Sequence, residues 1–248
     1  MAVFQGSFYA ESLGMQTLLT VILPQNLSQK DGEGRFPVLF LLHGLSDNAQ
    51  SWMQNTMIAR YAEAAGLAVV MPEVQRSFYT DMAEGQRYFT YVAEELPRLA
   101  RELFPLTRDP ARTYVAGLSM GGYGALKLAL HHSERYGAVG CFSGAVDLLG
   151  RLGEVTGNPG EAAAITGGSV LPENNLFLLT AQAAKQHVSL PPLYMTCGLS
   201  DFMYDDQKRF RQQLDFLKIP YVYEEWPSGH DWDVWNRSVL QFIRFIGY

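Results

Sequence analysis

A serine between two glycines is the residue of this chain best placed for covalent chemistry. Ser119 stands in the run Gly117-Leu118-Ser119-Met120-Gly121, which fits the pattern G-x-S-x-G. The strand-like run TYVAGL leads into this pattern and the helix-like run MGGYGALKLALHH leads out of it, so the serine is expected on a sharp strand-to-helix turn. Small residues are needed two positions away on each side, because the strand and the helix crowd together there. We predict that Ser119 is a nucleophile; the alternative is an incidental serine in a glycine-rich turn.

A serine hydroxyl reacts only when a base removes its proton, so the chain should also supply a histidine. In a strand-serine-helix arrangement the order along the chain is Ser, then Asp or Glu, then His. This order leaves His187 and His230 as candidates. His230 lies in PSGHD, between the last strand-like run, YVYEEW, and the final helix, whereas His187 lies in an irregular region. We therefore predict that His230 is the base.

A carboxylate must orient that histidine, and Asp201 is the best placed. It follows the strand-like run PLYMTCG after a short loop and is expected at the same edge of the sheet as the serine. Asp205 and Asp206 are expected inside the next helix, and Asp231 is too close to the histidine in the chain to reach behind its ring. The alternative role of Asp201 is to cap the following helix, and the two roles are compatible.

The negative oxygen that forms during acyl transfer needs backbone N–H donors. The start of the helix after the serine provides the N–H of Met120. The run His43-Gly44-Leu45-Ser46, directly after the strand-like run VLFLL, is expected to provide that of Leu45. We predict an oxyanion hole made of these two N–H groups. His43 is expected to fix the loop rather than to act as an acid or base.

Aromatic side chains are the candidates for a substrate pocket. Trp52 and the stretch at residues 77–91 could line an acyl or aryl pocket, although covering the sheet is the favoured alternative.

No metal or cofactor is expected. The adjacent His131 and His132 point in different directions on a helix, no H-E-x-x-H run occurs, and DFMYDD lacks the spacing of a calcium loop.

Short apolar runs alternate with amphipathic helical runs along most of the chain. This alternation predicts an α/β fold, with a mostly parallel sheet covered by helices on both faces. The run at 16–23 is expected to form a hairpin with the run at 38–44. A helix is expected from about residue 86 to 104, where Pro97 requires a late start or a kink. Residues 147–189 interrupt the alternation with repeated glycines, which favours either a small cap over a pocket or a surface loop.

The composition narrows the class of protein. The chain has 248 residues, of which 48% are hydrophobic and 18% charged, and this mixture predicts one soluble globular domain over residues 1–248. A net charge of −6 without a long basic run argues against nucleic acid as a partner. No run suits a membrane span or a signal peptide, and Cys141 and Cys197 lie in apolar strand-like runs, so a cytoplasmic protein is expected. A homo-oligomer is compatible with the sequence.

Four stretches together resemble the esterase D group of α/β-hydrolases, and most closely the bacterial tributyrin esterases. They are FLLHGLSDNAQSW, AGLSMGGYGALKLAL, CGLSDFMYDDQ and SGHDWDVWN, and they are spread over nearly the whole chain. The resemblance implies the α/β-hydrolase fold. It also implies that Ser119 is the nucleophile, that Asp201 and His230 are its partners, and that Leu45 and Met120 are the oxyanion donors.

The same group includes S-formylglutathione hydrolases, feruloyl and acetylxylan esterases, and mycolyl acyltransferases. S-formylglutathione hydrolases typically have a histidine where this chain has Tyr123, and a DHSYYF type of sequence where it has DWDVWN after His230. We therefore expect a serine carboxylesterase acting on small-molecule esters with short acyl groups, acetyl to butyryl, with acetylated sugars as candidate substrates. Trp52 and Tyr123 are candidate substrate contacts.

Other functions remain as alternatives. An S-formylglutathione hydrolase or a feruloyl esterase would act on a different acyl group, and an acyltransferase would pass the acyl group to an alcohol. A non-catalytic binding protein on the same fold is disfavoured, because every reacting residue is present.

Overall fold

The strands of the protein form one eight-stranded sheet. The computed structural model describes residues 1–169 and 171–248, without the side chains of residues 148–151. The strands are β1 (Ala2–Ala10), β2 (Met15–Leu23), β3 (Val38–Leu42), β4 (Ala68–Pro72), β5 (Thr113–Leu118), β6 (Ala138–Phe142), β7 (Leu193–Gly198) and β8 (Tyr221–Trp226). Their order across the sheet is β1-β2-β4-β3-β5-β6-β7-β8.

Helices connect the strands and cover both faces of the sheet. They are α1 (Ser51–Asn55), α2 (Ile58–Ala65), α3 (Tyr88–Thr90), α4 (Leu96–Leu103), α5 (Met120–His131), α6 (Leu148–Thr156), α7 (Pro159–Thr166), α8 (Leu176–Lys185), α9 (Tyr204–Phe216) and α10 (Trp232–Phe245). Side chains of α2 and α10 belong to the buried cluster on one face, and those of α5, α8 and α9 belong to the cluster on the other.

The centre of the sheet is parallel. Strands β3 to β8 pair in parallel, whereas β1 and β2 are antiparallel. Every residue of β3, β4, β5, β6 and β7 is buried, as their unbroken apolar sequences require when helices cover both faces. The predicted α/β class and α/β-hydrolase fold are confirmed. The two cysteines, Cys141 and Cys197, are free and buried.

The predicted hairpin between β2 and β3 is wrong. Strand β2 pairs with β1 along its whole length, and on its other side it pairs with β4. Because β4 lies between β2 and β3, the polar connection at residues 24–37 is a crossover and not a hairpin loop. Sequence reasoning missed β1 because its first eight residues are mostly exposed and show no clear alternation of apolar and polar side chains.

The helix expected around Pro97 does pass through this proline. It begins at Tyr88, and a π-helical turn (Tyr91–Glu95) joins α3 to α4. Pro97 has no N–H with which to bond the carbonyl of Ala93. The Arg135 guanidinium donates to that carbonyl instead, at 3.0 Å.

The described residues of the segment 147–189 fold mainly into helices α6, α7 and α8. The alternative prediction of a surface loop is therefore wrong. Gly157 and Gly167 adopt left-handed backbone conformations (φ +66° and +65°) and end α6 and α7. These glycines therefore terminate helices rather than prevent them. No helix in the described part of the chain is both long and apolar enough to cross a bilayer.

Candidate active site

Ser119 occupies the sharp turn between β5 and α5. Its backbone has φ +52° and ψ −116°, a strained conformation for a residue with a side chain. A Cβ atom on Gly117 would lie 2.4 Å from the carbonyl oxygen of Gly121, and a Cβ on Gly121 would lie 2.4 Å from that of Leu42. Backbone carbonyl groups therefore leave no room for a side chain at these two positions, which explains the predicted need for glycine.

His230 and Asp201 meet Ser119 at the carboxyl edge of the sheet. His230 follows β8 and Asp201 follows β7, so both lie at the edge where β5 ends. The Nε2 atom of His230 lies 3.0 Å from Ser119 Oγ. Its Nδ1 atom lies 3.0 and 2.9 Å from the two carboxylate oxygens of Asp201. The three side chains therefore form one continuous hydrogen-bonded chain across residues that are far apart in the sequence.

The surroundings of the Asp201 carboxylate favour its ionised form. Burial by itself would raise its pKa, but the hydrogen bonds from His230 and from the backbone N–H of Met203 outweigh burial, and the pKa is lowered. The same bond from Met203, at 2.8 Å, means that Asp201 also caps the turn before α9. The orienting and capping roles therefore coexist.

The other candidate residues have other positions, although Asp231 lines the same cleft as Ser119. Asp205 and Asp206 are in the first turn of α9, as expected. Asp231 caps α10 by accepting the N–H of Val234 at 3.1 Å. His187 is exposed at the end of α8.

Two backbone N–H groups beside the cleft have no hydrogen-bond partner in the described part of the chain. Met120 is the first residue of α5, where N–H groups have no partner within the helix. Leu45 belongs to the loop after β3, which lines the same cleft as Ser119. Among the residues that the structure describes, neither the N–H of Met120 nor that of Leu45 makes a hydrogen bond. Both donors are thus available for an oxyanion.

His43 has the structural role expected of it. Its ring is buried, its Nε2 atom accepts the N–H of Val74 at 3.1 Å, and its Nδ1 atom lies 2.7 Å from the carbonyl oxygen of Gly44. A nitrogen that accepts carries no proton, so Nδ1 carries it and donates to Gly44. The ring joins the loop after β3 to the loop after β4.

The reactive side chains open into a cleft of about 570 Å³. Apolar and aromatic walls come from Leu45, Val155, Phe202 and Trp232, and a cationic side chain, Arg76, lies at the rim. Arg76 forms a two-point ion pair with Glu161 of α7, with N–O distances of 2.5 and 3.0 Å, which ties the rim to residues 147–189. The cleft can therefore hold a small ester with its carbonyl beside the serine.

Trp52 and Tyr123 do not reach this cleft, and their tentative assignment as substrate contacts is corrected. Trp52 is 1% exposed and packs against Phe142 and Trp232. It therefore covers the sheet, which was the favoured alternative. Tyr123 is fully buried, and its hydroxyl donates to the carbonyl of Asn174 at 2.7 Å. Both aromatic side chains therefore fill the core and do not contact the cleft.

Sequence reasoning missed two aromatic residues that flank His230. The ring of Phe202 lies 4.5 Å from the imidazole and that of Trp235 lies 4.9 Å from it. Each stands within five positions of a predicted triad member in the chain, which was the available signal. Arg76, in contrast, lies in a loop after β4 that carried no signal, and only the fold brings it to the cleft.

Comparison with known proteins gives a consistent picture. A family model named Esterase, with the description "Putative esterase", matches residues 10–246. An acetyl esterase from Caldicellulosiruptor saccharolyticus is 30% identical over 99% of this chain and 98% of its own. The structure of the fluorophosphonate-binding serine hydrolase F of Staphylococcus aureus is 32% identical with a TM-score of 0.91. It covers 99% of this chain and 98% of its own.

An S-formylglutathione hydrolase structure from Staphylococcus aureus is similar to the same extent. It is 31% identical, with a TM-score of 0.88, and the alignment covers 99% of this chain and 98% of that one. The family model, the acetyl esterase and both of these structures span nearly the whole sequence. The chain belongs to the Esterase family and is a serine hydrolase with the α/β-hydrolase fold.

Proposed function

We propose that this protein is a serine carboxylesterase for short acyl groups, with Ser119, His230 and Asp201 as its catalytic triad. The observation that carries the proposal is the unbroken chain of contacts from Ser119 Oγ to His230 Nε2 and from His230 Nδ1 to Asp201, all at 3.0 Å or less. A histidine that is bonded on both sides in this way can take a proton from the serine and return it to a leaving group.

The reaction follows from these positions. Ser119 Oγ attacks the carbonyl carbon of the ester while its proton moves to His230 Nε2, and the oxyanion accepts hydrogen bonds from the N–H groups of Leu45 and Met120. As the intermediate collapses, His230 gives its proton to the departing alcohol and an acyl enzyme remains. Water then attacks this acyl enzyme with His230 as the base, releasing the acid and regenerating the serine.

The segment 147–189 contributes to the wall of the cleft, because Val155 and Thr156 at the end of α6 line it together with Ser119. We propose that this segment is a small cap within a single domain. The proposed preference for short acyl groups is supported by the full-length similarity to a protein named acetyl esterase.

Replacement of the serine tests the proposal. In wild-type protein we expect rapid hydrolysis of p-nitrophenyl acetate and butyrate, with the rate declining for longer chains. Ser119→Ala should lower kcat on the order of a millionfold and abolish covalent labelling by a fluorophosphonate at neutral pH. Retention of wild-type turnover by Ser119→Ala would show that another residue is the nucleophile.

Hydrolysis of S-formylglutathione is the second candidate function. It is supported by the similarity, over almost the whole chain, to a protein with that name. The same triad would serve, with a thiolate as the leaving group in place of an alkoxide. The values of kcat/KM for S-formylglutathione and for acetyl esters, measured side by side, decide between the two functions.

A further inference from the structure

Three consecutive backbone carbonyls at the end of β3 are each held by a buried aromatic side chain. The indole Nε1 of Trp52 donates to the carbonyl of Leu42 at 3.0 Å. The hydroxyl of Tyr79 donates to the carbonyl of His43 at 3.0 Å, and the imidazole of His43 donates to that of Gly44 at 2.7 Å. These three bonds set the orientation of the peptide planes that lead directly to the N–H of Leu45.

Tyr79 is itself held firmly in place. Its backbone and that of Phe78 have positive φ angles of +49° and +50°, which a residue with a side chain adopts only when its surroundings require it. The Nζ atom of the buried Lys127 donates to the carbonyl of Tyr79 at 3.0 Å. The Tyr79 ring fills the space above Gly124, where a Cβ atom would lie 2.5 Å from the ring. The backbone and ring of Tyr79 are therefore held in place, and so is the hydroxyl that donates to the His43 carbonyl.

Trp52 is fixed in a similar way on the other face of the sheet. Its ring is 1% exposed, and the rings of Phe142 and Trp232 pack edge-on against it at 6.2 and 5.4 Å. The two donors thus hold successive peptide groups of one strand end from opposite sides. Asp47 also restrains this loop, since its carboxylate accepts the N–H of Gly44 at 3.1 Å and its N–H donates to the Gly44 carbonyl at 3.2 Å.

We propose that Trp52 and Tyr79 are positioning residues that hold the Leu45 N–H in the oxyanion hole. This inference rests on the proposed esterase function. A backbone donor stabilises the transition state only if it already points to the place where the negative oxygen forms, and the loss of one such donor lowers kcat by about 10² to 10³. Loosening one of several restraints, while the donor remains present, should lower kcat by a smaller factor, about tenfold.

Removal of single hydroxyl and indole groups tests this proposal. Tyr79→Phe keeps the ring and deletes only the hydroxyl, and Trp52→Phe deletes the indole donor. We expect each variant to lower kcat for p-nitrophenyl acetate about tenfold with KM within twofold of wild type. Affinity for a boronic acid, whose adduct with Ser119 carries an anionic oxygen, should fall in proportion to kcat/KM.

Tyr123→Phe is the matched control, since it deletes an equally buried tyrosine hydroxyl that also donates to a carbonyl, that of Asn174. It should lower the melting temperature to a similar extent while leaving kcat and boronate affinity near wild type. If Tyr79→Phe matches the control in kcat and boronate affinity, the positioning role is wrong and the bond only stabilises the fold. Failure of the proposed function looks different, because Ser119→Ala would then stay active.

Discussion

Asp201→Asn is the substitution that isolates the proposed role of the carboxylate. The two side chains have the same shape, and the amide oxygen can still accept the N–H of Met203, so the turn before α9 should remain capped. The amide nitrogen would then face His230 Nδ1, and it can only donate. This donor, in place of the oxygen that lies 2.9 Å from Nδ1, favours the tautomer in which Nδ1 accepts and the ring proton moves to Nε2, the atom that lies 3.0 Å from Ser119 Oγ. In this tautomer the imidazole cannot take the serine proton.

The size of the effect follows from the geometry. Since all the binding contacts of the cleft are kept and only the base is lost, kcat should fall by about 10⁴, as it does for the corresponding substitution in a well-studied serine protease. This factor equals about 5.4 kcal/mol of transition-state stabilisation. The free energy of unfolding should fall by no more than about 3 kcal/mol, the upper value for a hydrogen bond to a charged group.

Steady-state hydrolysis of p-nitrophenyl acetate and chemical unfolding measure these two quantities. Asp205→Asn is the matched control, because it makes the same change on an exposed residue in the first turn of α9. It should leave both quantities near their wild-type values. A folded Asp201→Asn enzyme with kcat within tenfold of wild type would refute the reasoning, since another group would then be orienting His230.

Two further predictions concern the space around two glycines and the protonation of the buried Lys127. Gly121→Ala should destabilise the fold by about 1 to 3 kcal/mol and reduce activity, because its Cβ would meet the Leu42 carbonyl at 2.4 Å. Gly153→Ala, where no described atom outside the backbone of its own helix lies within 4 Å of the new Cβ, should be neutral or stabilising in the same unfolding assay. Burial lowers the pKa of Lys127 to about 7 from 10.5, so between these values the unfolded chain holds a proton that the folded protein has released. The stability of wild type relative to Lys127→Met should thus rise with pH from 7 to 10, by up to about 1.4 kcal/mol per pH unit, and a flat difference would contradict the low pKa.

The parts of the fold that could be predicted are those with local signals. The inner strands β3, β5, β6 and β7 are continuous apolar runs because helices cover both of their faces, and such runs are visible in any single sequence. The strand β1 and the pairing of β2 could not be predicted in the same way. Which strand lies beside β2 depends on where β4 enters the sheet, and that is a contact between distant segments.

The same division holds within the site. Order along the chain and position after a strand were enough to predict that Ser119, Asp201 and His230 lie together, since all parallel strands end at one edge of the sheet. Nothing local distinguishes an aromatic ring in the cleft from one in the core, which is why Trp52 stayed a candidate substrate contact although covering the sheet was the favoured alternative. Its burial is set by Phe142 and Trp232, residues far from it in the sequence.

The sequence by itself therefore determined which residues are candidates for the chemistry, because the proposed nucleophile, base and carboxylate each follow a strand that can be recognised locally. Only the tertiary structure decided how the backbone donors are held. The bonds from Trp52 and Tyr79 to the carbonyls of Leu42 and His43 join a strand end to side chains 10 and 36 positions away. Bonds of this kind exist only after the chain has packed, and they leave no pattern in the order of its residues.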